Sequence, residues 1–301
     1  MSHPRRVTIV EVGPRDGLQN EPARIATEDK IAFVDLLSAA GAPVIETTAY
    51  VRADWVPQLA DSSAVAAGMT RRPGTRYRAL VPNLTGLRYA QQAGFEEVAI
   101  FAAASETFSR RNINRTIDES LAIYAEVCRT AIAAGMRVRG YLSTAFGCPF
   151  EGRVDPGAAA DVSRRLLDLG VFEVAVSDTI GIAHPGQVRS VVEAVLRVVP
   201  LEQLALHFHD TRGTALANVL VALSMGVATF DASAGGLGGC PYAPGATGNL
   251  ATEDLVYMLD GLGIETGVTL ERLLEASAFI ESRVGHDLPS RYYRAERGKR
   301  A

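Results

Sequence analysis

Residues 207–213 read HFHDTRG, placing two of the chain's five histidines two positions apart with an aspartate directly after the second. In a strand, residues two apart share a side, so His207 and His209 point together while Phe208 points away. Two neutral imidazoles on one face can grip a cation, although an isolated pair of this kind also occurs as hydrogen-bonded core histidines. Asp210 has two readings, a carboxylate that orients a histidine or a cap for a helix beginning near Gly213. Further polar residues stand where short apolar runs end. Glu11, Arg15 and Asp16 lie in EVGPRDG, Glu46 ends VIE, Asp178 ends VAVSD, and Asn249 closes GGLGGCPYAPGATGN at 235–249.

Asp16, His207, His209 and the amide oxygen of Asn249 would form a mixed oxygen and nitrogen site with positions left for water or substrate. Such donors favour a hard divalent ion, Mg²⁺ or Mn²⁺, over a cysteine-rich zinc centre, and they also suit Co²⁺ and Zn²⁺. Arg15 directly precedes a proposed ligand, where its guanidinium could stabilise oxyanion character or pair with Glu46 or Asp178. Glu46 and Asp178 suit proton relay, orientation of Arg15 or plain ion pairing. Cys240 sits in the glycine-rich segment, where a thiol could act as nucleophile, acid or base. That segment lacks the endings of a phosphate loop or dinucleotide fingerprint and reads as a long loop with many left-handed positions.

These residues need strands to carry them. Eight β-rich runs recur at 7–12, 43–48, 77–82, 97–102, 137–143, 172–178, 204–210 and 228–234, separated by amphipathic segments that often end in glycine. Eight strands alternating with helices predict a (β/α)₈ TIM barrel, whose catalytic groups gather at the C-terminal ends of the strands. Residues 251–262 and 268–284 predict further C-terminal helices. The tail SRYYRAERGKRA is expected to be frayed at its end, with Arg291, Arg294, Arg297, Lys299 and Arg300 either solvated or touching an anionic ligand.

The 301 residues are 48 % apolar and 21 % charged, enough for a large core, and the net charge of -4 argues against nucleic acid or an anionic membrane as partner. The start MSHPRRVTIVEVG fits no signal or transit peptide, and no apolar run approaches a membrane span, so a cytoplasmic protein is expected. Three scattered cysteines make no disulfide framework, and Cys128 reads as a small buried hydrophobe.

EVGPRDGLQNE, HFHDTRGTALAN and GGLGGCPYAPGATGNLATEDLVYML resemble the hydroxymethylglutaryl-CoA lyases, a branch of the metal-dependent TIM-barrel lyases that also includes isopropylmalate and homocitrate synthases. The similarity runs from about Val7 to residue 275, leaving 276–301 as a helix end and basic tail. The resemblance implies cleavage of 3-hydroxy-3-methylglutaryl-CoA to acetyl-CoA and acetoacetate, a step of leucine breakdown. It puts metal ligands on Asp16, His207, His209 and Asn249, and catalytic groups on Arg15, Cys240, Asp178 and Glu46. It adds Glu11 near the metal and substrate contacts at Arg15, Gln19 and Tyr141. It also implies an acyl-CoA substrate, a mobile glycine-rich loop over the barrel mouth and a homodimer. Phe208, Arg212, Pro22 and Ala49 depart from the family's commoner residues. A lyase acting on a longer branched 3-hydroxyacyl-CoA is the alternative; a condensing relative would be expected to carry an added C-terminal domain.

Overall fold

The computed structural model describes residues 3–239 and 248–300. Eight parallel strands close into one barrel in chain order: β1 Thr8–Glu11, β2 Val44–Ala49, β3 Arg76–Leu80, β4 Glu97–Ala103, β5 Arg137–Ser143, β6 Glu173–Asp178, β7 Leu204–Phe208 and β8 Thr229–Ala232. The last strand closes on the first with Thr8 beside Thr229 and Val10 beside Asp231. Every strand lies on or within a residue or two of a run that the sequence predicts. Parallel strands in such a barrel are buried on both faces, so they read as short apolar runs bounded by turn residues.

The helices are α1 Thr27–Ala39, α2 Ser62–Gly68, α3 Leu84–Gln92, α4 Glu106–Ile113, α5 Ile117–Ala133, α6 Pro156–Asp168, α7 Pro185–Val195, α8 Ala215–Ser224, α9 Thr252–Gly261, α10 Leu270–Val284 and α11 Arg291–Arg300. Their starts are written locally. Thr116 and Glu119 form a reciprocal capping box at the start of α5. Asp155 accepts the Gly157 amide at the start of α6, where Pro156 needs no partner for a missing N–H. The apolar outer faces of the strands pack on these helices in one continuous core, in which Cys128 is fully buried as expected.

The inside of the barrel is another matter. Barrel interiors are commonly filled by branched aliphatic side chains, and here the interior holds only a small apolar layer that includes Ala49, Leu80, Ala99, Tyr141, Ala175 and Ala205. A bulge in β2 between Glu46 and Thr48 shifts the alternation. Thr48 therefore reaches outward to the Ser62 hydroxyl on α2, at 2.6 Å, while Ala49 joins the inner layer. At the floor, where β3, β4 and β5 begin, Glu97 accepts from Arg76 at 2.8 Å, Arg78 at 2.8 Å and Arg137 at 2.9 Å.

The C-terminal tail corrects an expectation. It forms α11, with Tyr293 buried. Asp254 on α9 caps it, accepting from the Tyr292 amide at 2.7 Å and the Arg291 amide at 3.1 Å. Its cations are spent inside the chain: Arg291 on Asp210, Arg297 on Glu281 and Asp287, Lys299 on Glu296 and Arg294 on the Leu288 carbonyl. The twelve residues there are mostly charged or polar with no apolar period, so only the acidic partners, most of them distant in the chain, reveal that the segment docks. No helix among the described residues is long and apolar enough to cross a membrane.

Candidate active site

The carboxyl ends of the strands frame a cavity of about 390 Å³ lined by Arg15, Asp16, Gln19, Tyr141, His207 and His209. Arg15 and Asp16 are brought in by a five-residue π-helical turn, Gly13–Gly17, that follows β1 and is closed by the Gly17 amide on the Val12 carbonyl at 3.1 Å. Such turns recur at functional sites because the wide loop re-aims side chains. Glu11 holds this turn in place. Its carboxylate accepts from the Gly13 amide at 2.8 Å, the Ala234 amide at 2.9 Å and the Thr252 hydroxyl at 2.7 Å, tying the end of β1 to the end of β8. A Cβ on Gly13 would lie 2.7 Å from the Glu11 oxygen, which explains the glycine. Burial, partly offset by those donors, pushes the Glu11 carboxyl up to about 7. This carboxylate works as a latch that sets the turn carrying Arg15 and Asp16, while the three-residue cluster that could hold an ion is Asp16, His207 and His209.

β7 delivers His207, and His209 follows just past its end, where it forms an antiparallel bridge with Asn249. That bridge places Asn249 at the mouth. The neck of the glycine-rich loop is tight: a Cβ on Gly238, whose φ is +120°, would lie 2.6 Å from the Asn249 amide nitrogen. The Asn249 amide donates to Asp16 at 2.9 Å and to the Leu237 carbonyl at 3.0 Å. His209 Nε2 lies 3.8 Å from Asp16. Cys240 lies outside the described residues.

Asp16, His207 and His209 offer ligand atoms all within 4.8 Å of one another. Two buried atoms beside them, Asn249 Oδ1 and His209 Nδ1, have no hydrogen-bond partner among the described residues. A buried amide oxygen without a donor is costly, and a divalent cation taking Asn249 Oδ1 with Asp16 and the two imidazoles would relieve that cost, so the residues fit a metal. Their protonation fits too. Burial opposes ionisation of Asp16, yet Arg15 and the two imidazoles hold its carboxyl at about 2. Burial, with His207 close by, pushes His209 down to about 4, leaving it neutral and able to ligate.

Arg15 pairs with Glu46 through Nε and with Asp16 through Nη1. Glu46 also accepts from the Tyr141 hydroxyl at 2.8 Å. The structure thus brings together Arg15, Asp16, Glu46, Tyr141, His207, His209 and Asn249, with Gln19 on the cavity wall. Asp178 is placed differently. Its two carboxylate oxygens accept from the Ile182 and Ala183 amides at 3.0 and 2.9 Å, shaping the turn before α7, and burial pushes its carboxyl up to about 6. Asp210 accepts the Ala215 amide at 2.9 Å at the start of α8, which favours the cap reading. Among the departures, Phe208 packs outward on Phe146 and Arg212 donates to the Ile180 and Gly181 carbonyls.

Asp231 escaped the sequence reading. It accepts from His207 Nδ1 at 3.1 Å, and Arg139 grips it with two nitrogens at 3.0 and 2.7 Å while reaching Glu173 with a third at 2.6 Å. A signal was present: ATFDASA and RVRGYLS each carry a charge at a position that alternation turns into the barrel.

A family model for HMGL-like proteins matches residues 6–280. The chain is 55 % identical to the mitochondrial hydroxymethylglutaryl-CoA lyase of Bos taurus, over 92 % of this chain and 85 % of that one. It superposes on the crystal structure of hydroxymethylglutaryl-CoA lyase from Pseudomonas aeruginosa with a TM-score of 0.97 at 51 % identity, covering 99 % of this chain and 100 % of that one. An HMG-CoA lyase from A. baumannii in complex with coenzyme A and 3-methylmalate is 39 % identical with a TM-score of 0.93, covering 98 % and 96 %. With the barrel, the Asp-His-His cluster and these likenesses in hand, the chain belongs to the hydroxymethylglutaryl-CoA lyase family.

Proposed function

We propose that this chain cleaves 3-hydroxy-3-methylglutaryl-CoA into acetyl-CoA and acetoacetate with Asp16, His207, His209 and Asn249 holding Mg²⁺ or Mn²⁺. The observation that carries this reading is the single cavity that joins the three-residue cluster to a rim bearing Arg52, Trp55, Asn83 and Arg115. The inner end can take a small oxygen-rich acyl group. The rim, with exposed cations and an exposed indole, suits the phosphates and base of a coenzyme A tail.

The chemistry that a bound divalent ion supplies here is Lewis-acid polarisation of the substrate's hydroxyl and a neighbouring oxygen. The chain's own residues do the rest. Arg15 is oriented by Glu46 and Asp16, and its Nη2 has no partner among the described residues, which leaves a donor for oxyanion character on the thioester as the C–C bond breaks. Glu46 and Tyr141 keep that guanidinium from swinging. Burial pushes the Tyr141 phenol well above its ordinary range, so it stays protonated as the donor to Glu46. As the C–C bond breaks, the hydroxyl's proton passes to a base of the site and a proton is delivered to the departing carbon, a delivery assigned to Cys240, with Asp178 given a supporting part in that relay.

The test is acetoacetate release from 3-hydroxy-3-methylglutaryl-CoA and from longer branched 3-hydroxyacyl-CoA analogues, before and after chelation. Chelation is expected to abolish release and added Mg²⁺ or Mn²⁺ to restore it, with longer analogues slower. Release that survives chelation would refute the metal assignment. Comparable rates on a longer analogue would move the substrate while leaving the bond broken unchanged.

A further inference from the structure

The two imidazoles of the cluster are not equivalent. His209 Nδ1 is buried without a partner among the described residues, whereas His207 Nδ1 is engaged by Asp231. Parallel pairing sets His207 of β7 directly beside Asp231 of β8, so the contact follows from register. Asp231 is fully enclosed, and Arg139, itself without exposure, meets both of its oxygens. A carboxylate held by a two-pronged guanidinium is an acceptor only. The nitrogen that it faces on His207 must then carry the proton. A second contact limits the ring: the Tyr141 ring stands edge-on to the His207 imidazole, at 86° with centroids 6.3 Å apart, and Arg139 lies 4.7 Å from the Tyr141 centroid.

We propose that Asp231, pinned by Arg139, is the positioning residue of the site: it fixes His207 as the Nδ1–H tautomer and leaves Nε2 as the one ring nitrogen free to ligate. This rests on the reading that the cluster holds a divalent ion. The arrangement is a carboxylate–histidine–metal relay in which the carboxylate belongs to the neighbouring strand and is locked from behind by a buried arginine. His207 is thereby poised before an ion arrives, while His209 gains its orientation from the ion. Arg139 is cross-braced to Glu173 on β6, so β5, β6, β7 and β8 all bear on one imidazole.

Two measurements decide the matter. The first is ¹⁵N-detected imidazole NMR of the ion-free wild-type protein, in which His207 is expected as the Nδ1–H tautomer with a slowly exchanging ring proton; the Nε2–H tautomer would overturn the proposal. The second is Mn²⁺ titration followed by electron paramagnetic resonance. Asp231→Asn is expected to weaken Mn²⁺ binding by about 10–100-fold, whereas Glu173→Gln, which loosens only the far end of Arg139, is expected to weaken it less than about threefold. Wild-type affinity in an Asp231→Asn protein with a native circular dichroism spectrum would sink the proposal. If Asp231→Asn does not fold, the wild-type tautomer decides alone. A wild-type protein that binds no Mn²⁺ at all would defeat the metal reading, and the tautomer would still report on Asp231.

Discussion

The mouth and the floor of the barrel are built from the same side chains and do opposite things. At the floor, Glu97 neutralises parts of three arginines, and what is left over is cationic: the Nε and Nη1 atoms of buried Arg78 have no hydrogen-bond partner among the described residues and lie by the Phe172 ring, whose centroid is 5.6 Å from the guanidinium. At the mouth, what is left over among the described residues is an acceptor, Asn249 Oδ1, beside an ionised Asp16, the neutral imidazole of His209 and an open cavity. A surplus donor covered by an aromatic face closes a barrel, because the ring's negative face satisfies it in place. Surplus acceptors at the edge of a cavity make a vacancy for a cation. Charge content alone therefore says nothing about which end of this barrel is chemical; the sign and the access of the unused valences do.

The comparison can be broken at either end. Glu97→Ala should leave buried Arg78 without its carboxylate and cost about 3–5 kcal/mol of stability, read as a lower urea midpoint, with activity per folded molecule retained. A large loss of turnover in the folded fraction would mean that floor and mouth are coupled. Arg15→Lys keeps a cation beside Glu46 but forfeits the guanidinium fork, and kcat/KM is expected to fall about 10²–10³-fold with little change in unfolding midpoint. An equal loss of stability and activity would put Arg15 with the floor residues.

A third, subtler test concerns the latch behind the mouth. Glu253 on α9 accepts from the Gly235 amide at 2.9 Å and from the Ser277 hydroxyl, and burial pushes its carboxyl up from an ordinary 4.5 to about 7, as it does for Glu11. Both keep a proton in the folded chain at pH values where the unfolded chain has released it. Their contribution is therefore full below about 4.5, falls as the pH rises from there to about 7, and is level above. Glu253→Gln should flatten that decline by on the order of 1–3 kcal/mol. A wild-type and variant pair with parallel stability profiles across this window would show that the latch is ionised throughout.

Much of the mouth could be read before folding was considered. EVGPRDG and HFHD announce Arg15, Asp16, His207 and His209 because side chains two apart on a strand share a face and because barrel strands end at a common rim. All eight strands were equally legible, since a strand buried on both sides leaves a dense apolar run between turn residues.

Other features could not be read that way. The sequence showed Asp231 as one more polar residue in ATFDASA and Arg139 as one more charge in RVRGYLS; only barrel closure set them against each other and against His207. Glu11 read as an acidic residue of the mouth, and only the fold supplied its amide partners, one of them 223 positions away, that make it a latch. The tail looked solvated until Asp254 and Glu281 claimed it. Local pattern fixes which residues form a strand and which way they point, because those follow from the backbone repeat. Which charge meets which depends on the order and register of the strands around the barrel, and a hydrogen bond acts over about 3 Å in space, whatever the distance along the chain.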